Sequence, residues 1–330
     1  MTSALPIGND SAHAAFAAAM ASGSLHHAWL FAGPEGTGKA RFARAAALRL
    51  LAEAATPGML PPGFDVPESN QTRRLIEAGS HPDYCEIRRL PKESDKTGQE
   101  LARSITIAQV RGLLPMFAMK PSLSPRRVVL IDAIDDVERP GASNALLKSL
   151  EEPPAGTIFI LISHAPGRLL PTIRSRCRTL RFDPLGREDM RAVIQANLGQ
   201  ATDAEVTALV RAGAGSPGRA LGFAGLDLAA LDDALAAIAR EGDRSNAGRV
   251  KLSKALAPKA AQPRYEAFLD RAPAFIAEMA RGQHGERLRV ALDSYDAARA
   301  LSTTARALSL DAQGTVYEMA GLVAKLAAPA

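Results

Sequence analysis

A glycine-rich turn between an apolar run and a helix-forming stretch constrains this chain more than any other feature of its sequence. Ala28 to Ala32 is apolar throughout, which predicts a buried strand, and Arg41 to Leu51 has the composition and spacing of a helix. The turn between them has the pattern of a phosphate-binding loop, carried by Gly33, Gly36, Thr37, Gly38 and Lys39. Such glycines let backbone N–H groups point at an anion, and the lysine and the helix N-terminus add positive charge. The sequence therefore predicts a strand–loop–helix unit that can hold a phosphate.

Alanine occupies two positions at which nucleotide hydrolysis requires a hydroxyl or a carboxylate side chain. The motif needs Ser or Thr after the lysine, because that hydroxyl ligates magnesium, and this chain has Ala40. A second apolar run ends in Asp132, at the position where such proteins hold magnesium beside the phosphates. The next position, where an ATPase needs a carboxylate to activate water, is Ala133. We therefore expect binding of ATP or ADP to be weak or absent and hydrolysis to be lost.

Each of these features also has an ordinary structural interpretation. The glycine turn can be a tight connection, and Asp132 can simply cap the end of its strand. Ser163 ends the buried run Thr157 to Ile162, where a short polar residue can bind a γ-phosphate or an attacking water. Such a residue is about as often an ordinary turn residue. The order of the motifs along the chain favours the functional interpretation of Asp132.

Four arginines lie within eight residues just before and within the predicted strand Thr179 to Phe182: Arg174, Arg176, Arg178 and Arg181. Arginine presents a rigid and permanently charged fork that suits phosphate. One of them facing the nucleotide of a neighbouring subunit is therefore a hypothesis worth testing. The alternative is that Arg176 pairs with a nearby acid such as Asp183 and anchors the strand.

Composition limits the remaining possibilities. The chain has 330 residues, 47% of them hydrophobic, which is enough for two or three domains with a large core. Its two cysteines, Cys85 and Cys177, are too far apart for a zinc motif, so we expect no zinc and no other metal site. A formal charge of +5 is compatible with nucleic acid without demonstrating it. No apolar run is long enough to span a membrane and no export signal is evident, so the cytoplasm is the expected compartment.

Three stretches together resemble the AAA+ clamp-loader family of bacterial DNA replication. They are His27 to Phe31, Asn144 to Pro154, and Ser175-Arg176-Cys177, and the resemblance runs from about Asn9 to Arg219. It implies an α/β fold in which a P-loop AAA+ (RecA-like) parallel sheet occupies residues 1–185. A small helical lid would follow at 186–225, and an all-α collar at 226–330 would join five subunits.

The resemblance also assigns roles to individual residues. It implies that Asp132 is the Walker B acid, Ser163 the sensor 1 residue and Arg176 an arginine finger that acts in trans. The family's second sensor arginine would fall on Gly218, with Arg219 displaced by one position. The lid is therefore expected to lack the positive charge that would contact a nucleotide.

Ala40 and Ala133 place the chain with those members of the family whose own nucleotide sites are degenerate. The resemblance then implies a non-motor subunit of the DNA polymerase III clamp loader, in a hetero-pentamer that loads the sliding clamp onto primed DNA. Two alternatives remain. One is an active, ATP-hydrolysing motor subunit, which the two alanines oppose, and the other is a P-loop kinase, for which the sequence lacks a lid arginine pattern of its own.

Overall fold

The computed structural model describes residues 5–23, 25–92 and 101–327. They fall into two compact units. The first comprises residues up to 193 together with 215–218, and the second comprises 194–214 together with the chain from 219 onward. Residues 186–225 are thus shared between the two units, and the division into sheet domain, lid and collar stays a prediction.

The first unit is built on a five-stranded parallel sheet. Its strands are β1 (Ala28–Ala32), β2 (Tyr84–Arg88), β3 (Arg127–Asp132), β4 (Thr157–Ser163) and β5 (Arg178–Arg181). Their order across the sheet is β2-β3-β4-β1-β5, so β1 and β4 are central, and every pairing is parallel. The predicted fold class, a P-loop AAA+ α/β sheet followed by helices, is confirmed. The parallel arrangement brings the carboxyl ends of all five strands to one edge.

Helices accompany the sheet along the first part of the chain. They are α1 (Asp10–Ala21), α2 (Lys39–Ala55), α3 (Gln71–Glu77), α4 (Ile107–Arg111), α5 (Leu114–Ala118), α6 (Gly141–Glu151), α7 (Pro171–Arg174) and α8 (Arg187–Asn197). The apolar pattern over Thr106 to Ala118 predicts a single helix, but the structure has two. Thr106 begins α4 with a capping box to Gln109, and α4 ends at Gly112.

Helix α2 packs on the sheet through a cluster of aromatic rings centred on Phe42. The Phe42 ring lies 4.3 Å from the His13 ring and 5.0 Å from the Phe64 ring, measured between centroids. Phe31 and Phe182 lie at 5.5 and 5.8 Å, and Phe42 itself is fully buried. This cluster holds α2, whose first turn follows directly after the phosphate-binding loop, against the sheet.

The remainder of the described chain is helical. Its helices are α9 (Asp203–Gly213), α10 (Pro217–Gly222), α11 (Leu228–Glu241), α12 (Ala247–Leu256), α13 (Gln262–Ala280), α14 (Gly285–Leu308) and α15 (Ala312–Ala324). Within the second unit, the buried Arg271 of α13 pairs with Asp232 at 2.6 Å and with Glu278 at 2.8 Å. The all-helical prediction for the region from 226 onward is confirmed for its described residues. Over those described ranges of the chain, no helix combines the length and the apolar character that crossing a bilayer requires.

Candidate nucleotide site

The predicted loop connects β1 to α2, as the sequence requires. Gly33, Gly36 and Gly38 have backbone φ angles of 156°, 76° and 92°, which residues with a side chain rarely adopt. At Gly33 an added Cβ would lie 1.9 Å from the carbonyl oxygen of Phe182, so only glycine fits there. The Thr37 hydroxyl donates to the carbonyl of Pro34 at 2.9 Å and closes the turn. The loop therefore has the backbone shape that the motif predicts.

The ammonium of Lys39 is bound by the loop itself. Its Nζ donates to the carbonyl of Gly33 at 2.7 Å and to the carbonyl of Pro34, and the residue is only 2% exposed. Burial lowers the pKa of this ammonium to about 8. The carboxylates of Glu35, Asp132 and Asp135 act in the opposite direction, Glu35 most strongly. A phosphate at this loop would have to compete with two carbonyl oxygens for the lysine.

Lys39 is expected to make the first unit more stable as the pH rises from about 8 toward 10.5. Its pKa is about 8 in the folded chain against an ordinary 10.5, so in this window unfolding takes up a proton and becomes less favourable with rising pH. Relative to Lys39→Met, the wild type should gain roughly 1 to 2 kcal/mol of unfolding free energy between about pH 7.5 and about pH 9.5. Urea titrations at both pH values measure this difference.

The exposed Lys148 provides the matched control, since Lys148→Met removes a lysine without removing a buried charge. This variant should follow the wild type across the same pH range. If Lys39→Met shows the same pH dependence as the wild type, the ammonium is not destabilised by burial.

A short segment of the first unit, residues 215–218, lies against the loop. The hydroxyl of Ser216 donates to the carbonyl of Glu35 at 2.8 Å, and the N–H of Gly218 donates to the carbonyl of Gly36 at 3.0 Å. A Cβ added to Gly218 would lie 2.8 Å from the Cα of Gly36, closer than real side chains approach. The predicted second sensor position is thus packed backbone to backbone on the loop and has no space for a side chain.

Asp132, at the carboxyl end of β3, is paired with an arginine of α2. The Arg44 guanidinium lies 3.3 Å from an Asp132 carboxylate oxygen and 2.6 Å from a carboxylate oxygen of Glu86 on β2. Burial raises the pKa of the Asp132 carboxyl, even though Arg44 lowers it. Burial would also raise the pKa of Glu86, but the hydrogen bonds and charge of Arg44 bring it below its usual value. Neither Arg44 nor Glu86 is a residue that the sequence singled out.

Ser163, the predicted sensor 1 residue, is fully buried at the end of β4 and bonded to a carboxylate. Its hydroxyl donates to Asp135 at 3.0 Å, and the N–H groups of His164 and Ala165 donate to the same carboxylate at 2.7 and 3.2 Å. The carbonyl of Ser163 accepts from the N–H of Gly33 at 3.1 Å, which connects this strand end to the loop. Three donors therefore hold Asp135, a residue that sequence analysis missed.

Arg176 lies on the surface between α7 and β5. Its guanidinium is 2.7 Å from a Glu151 carboxylate oxygen and donates to the carbonyl of Thr172 at 2.9 Å. The alternative interpretation, in which Arg176 pairs with a nearby acid such as Asp183, holds for a different acid. Arg176 pairs with Glu151, while the backbone N–H and carbonyl of Asp183 bond the side chain of Asn9. About a third of the Arg176 side chain is exposed, so it is available to another molecule.

A magnesium ion does not fit the residues present. Ala40 offers a methyl group where the motif requires a hydroxyl, and the Asp132 carboxylate faces a guanidinium. Among residues 5–23, 25–92 and 101–327, no three His, Cys, Asp or Glu side chains come together in a way that could hold a metal ion.

The comparison with known protein families covers the part of the chain that carries the loop and the sheet. The family model described as "DNA polymerase III, delta subunit" matches residues 8–186, more than half of the chain. The chain belongs to this family. The predicted resemblance to clamp-loader subunits, with the character of a delta-prime subunit, is thereby confirmed.

Individual relatives agree with the family model. The DNA polymerase III subunit delta′ of Pseudomonas aeruginosa is 39% identical over 151 residues, which are 46% of this chain and 41% of the relative. The delta′ subunit of Bacillus subtilis is 37% identical over 161 residues, 49% of this chain and 43% of the relative. The gamma/tau subunit of Mycobacterium tuberculosis is 33% identical over 259 residues, 71% of this chain and 42% of the relative. The matches span about two fifths of the length of these relatives.

Family membership leaves the roles of the site residues as predictions. The loop residues, Asp132 and Ser163 lie at one edge of the sheet, and Arg176 lies on the surface outside that group. A signal for Asp135 exists in the sequence, since a second acid follows Asp132 by three positions. For Arg44 the only signal is its position one helical turn after Ala40.

Proposed function

We propose that the chain is a non-motor subunit of the DNA polymerase III clamp loader, of the delta-prime kind. In this proposal it assembles with other clamp-loader subunits in a cytoplasmic hetero-pentamer that loads the sliding clamp onto primed DNA. It supplies Arg176 to the nucleotide site of a neighbouring ATPase subunit and does not hydrolyse ATP itself. Its contact with the clamp and with DNA is through the assembly.

The observation that carries this proposal is the pairing of Asp132 with Arg44 beside Ala40. A family member that hydrolyses ATP needs its strand-end acid for magnesium. Here that acid faces a permanent cation at 3.3 Å, and the neighbouring hydroxyl ligand is replaced by a methyl group. A chain with this site can serve the clamp loader through its contacts and its arginine, but not as a motor.

The decisive experiment reconstitutes the clamp loader from purified subunits. DNA- and clamp-stimulated ATP turnover is measured with the chain present and with it left out. We expect the chain to co-elute with the other subunits and turnover to depend on its presence. Failure to co-elute, or full turnover without the chain, would overturn the proposal.

The isolated chain is expected to show no ATP turnover above background, because Ala40 cannot ligate magnesium and Ala133 cannot activate water. Lys39→Ala should therefore give the same rate as the wild type. Restoring both groups, Ala40→Thr with Ala133→Glu, should not restore turnover, since Arg44 still faces Asp132. A steady-state phosphate-release assay measures all three. Turnover by the pure wild-type chain that Lys39→Ala abolishes would favour the active motor or kinase interpretation instead.

A further inference from the structure

One stretch of the second unit accounts for the whole excess of positive charge in this chain. Residues 244–264 contain six of the 40 Lys and Arg residues and none of the 35 Asp and Glu residues. The rest of the chain then has 34 basic against 35 acidic residues, so its formal charge is close to zero. The stretch covers the loop before α12, α12 itself and the start of α13. Its basic residues are Arg244, Arg249, Lys251, Lys254, Lys259 and Arg264.

Two of these six residues are used within the unit. The Nε of Arg249 lies 3.1 Å from a carboxylate oxygen of Asp243, and its guanidinium lies 5.0 Å from the centroid of the Tyr317 ring. Arg264 is half-buried and lies 3.8 Å from a carboxylate oxygen of Asp227. Asp243, the acid that borders the stretch, also accepts two backbone N–H groups of α12 at 2.8 and 2.9 Å. Its negative charge is thus balanced locally and repels an approaching anion little.

The other four residues form an exposed surface that we call the α12 basic face: Arg244, Lys251, Lys254 and Lys259. Across the described part of the chain, none of the four forms an ion pair with a carboxylate. Helix α12 buries Leu252, Ser253 and Leu256, and its opposite side carries Lys251 and Lys254 at a spacing of three residues. The helix is about 15 Å long, and the two remaining basic residues flank it at its two ends.

The residues among these charges favour a partner that is recognised by its charge alone. The exposed side chains of α12 beside the two lysines are Ala247, Val250 and Ala255, which are short and uncharged. Residues 244–264 contain no Phe, Trp or Tyr on which a base could stack, whereas surfaces that bind single strands usually stack bases on aromatic rings. Duplex DNA needs no stacking platform and carries one negative charge per about 1.7 Å of its axis. Its charge density therefore suits this surface best.

We propose that the α12 basic face binds the sugar–phosphate backbone of duplex DNA without reading its sequence. The inference goes beyond the proposed function, in which the chain reaches DNA through the assembly, because it gives the second unit a direct contact. Lysine ammonium groups contact phosphate as point charges. Each phosphate that they neutralise releases a counterion, so binding weakens steeply as salt rises.

The competing explanation is that the α12 basic face is only solvated and keeps the protein soluble. Under both explanations, exchanging the exposed Lys251 and Lys254 for glutamine leaves the fold nearly as stable as before. The explanations differ in the affinity for DNA. A solvated face gives no binding that depends on these two lysines beyond the effect of net charge.

The test measures the fluorescence anisotropy of a short fluorescein-labelled DNA duplex titrated with the full chain at about 50 to 200 mM salt. For the wild type we expect a Kd of about 10⁻⁶ to 10⁻⁴ M at physiological salt and a slope of log K against log salt of about −3 to −4, as four phosphate contacts give. Lys251→Gln with Lys254→Gln should weaken binding at least about tenfold at the lowest salt and reduce the slope by about 2. Lys251→Arg with Lys254→Arg should bind like the wild type, because the charge is kept.

Arg289→Gln with Arg306→Gln is the matched control. It removes the same charge from two exposed arginines of α14, each of which is already paired with a carboxylate, Glu286 or Asp270. Because these pairs are neutral and their fields are screened by salt, the control should bind the duplex within about twofold of the wild type. Thermal unfolding of each variant checks that the fold is retained.

Four results would overturn the proposal. They are the absence of duplex binding at the lowest salt, an equal loss of affinity in the Arg289 and Arg306 control, a loss in the lysine-to-arginine variant as large as in the glutamine variant, or binding of oligo(dT) or polyglutamate as tight as that of the duplex. The last result would assign the surface to a single strand or to an acidic peptide. The assay needs neither ATP turnover nor other subunits, so the inference can fail while the proposed clamp-loader function stands, and the reverse also holds.

Discussion

Arg176→Ala is expected to lower ATP hydrolysis at the neighbouring site that it serves by about 10³- to 10⁵-fold, while the chain folds and assembles normally. The reason is that an arginine finger stabilises charge on the transferring phosphoryl group, and no other group of this chain is predicted to replace it. The DNA-stimulated turnover of the whole complex should fall only in part, since other motor sites keep their own arginines. Turnover of the reconstituted complex is the measurement.

The surroundings of Arg176 explain why Arg176→Ala should fold with little loss of stability. Its partner Glu151 is about half exposed, and Arg176 itself is about one third exposed. Ion pairs at such positions typically contribute less than about 1 kcal/mol. Arg176→Lys should rescue little turnover, because a lysine does not reproduce the planar fork of the guanidinium.

Arg174→Ala is the matched control, since Arg174 is an exposed arginine only two positions away. It should leave complex turnover near the wild-type value, and so should Glu151→Gln, which releases Arg176 from its ion pair. A lower melting temperature for Arg176→Ala with unchanged complex turnover would contradict the finger assignment. The residue would then only anchor β5 through Glu151.

Phe42→Ala is expected to destabilise the first unit by about 3 to 5 kcal/mol. The ring is fully buried, and five other aromatic rings lie within 6 Å of it between centroids: His13, Phe16, Phe31, Phe64 and Phe182. Truncation leaves a cavity between α2 and the sheet that rigid neighbouring rings cannot collapse to fill. Urea unfolding followed by near-ultraviolet circular dichroism gives the free energy.

Phe117→Ala removes the same atoms from a different setting. Phe117 is only partly buried, and its ring lies 6.0 Å from that of Phe159. This control variant should lower the free energy of unfolding by less than half as much as Phe42→Ala does. Equal losses for the two variants would show that the Phe42 cluster does not hold α2 more firmly than an ordinary contact.

The strands β1, β3 and β4 could be predicted from the sequence because each is a short and largely apolar run. Ala28–Ala32 agrees with the prediction to the residue, β4 extends one residue beyond the predicted end at Ile162, and β5 begins and ends one residue before the predicted Thr179 to Phe182. The loop could be predicted because its glycines need backbone conformations that other residues avoid. In both cases the information lies within a few consecutive residues.

The charge pattern at the end of β3 could not be predicted in the same way. Arg44 lies 42 positions from Glu86 and 88 positions from Asp132, so nothing local in the sequence indicates that they meet. Asn9 shows a similar limit. It lies at the N-cap position of α1 and is of a residue type that often caps helices, but its side chain makes no capping bond to α1 and instead bonds the backbone of Asp183, 174 positions away. Such pairings depend on the order of strands in the sheet.

The contact between Gly218 and Gly36 limits which side chains position 218 can carry. With a Cβ at position 218 placed 2.8 Å from the Cα of Gly36, a substitution by arginine would first require the loop to move. The hydrogen bond between the Gly218 N–H and the Gly36 carbonyl opposes that movement. An arginine at this position, as the family resemblance expects for the second sensor, therefore fits only if the loop and residues 215–218 first separate.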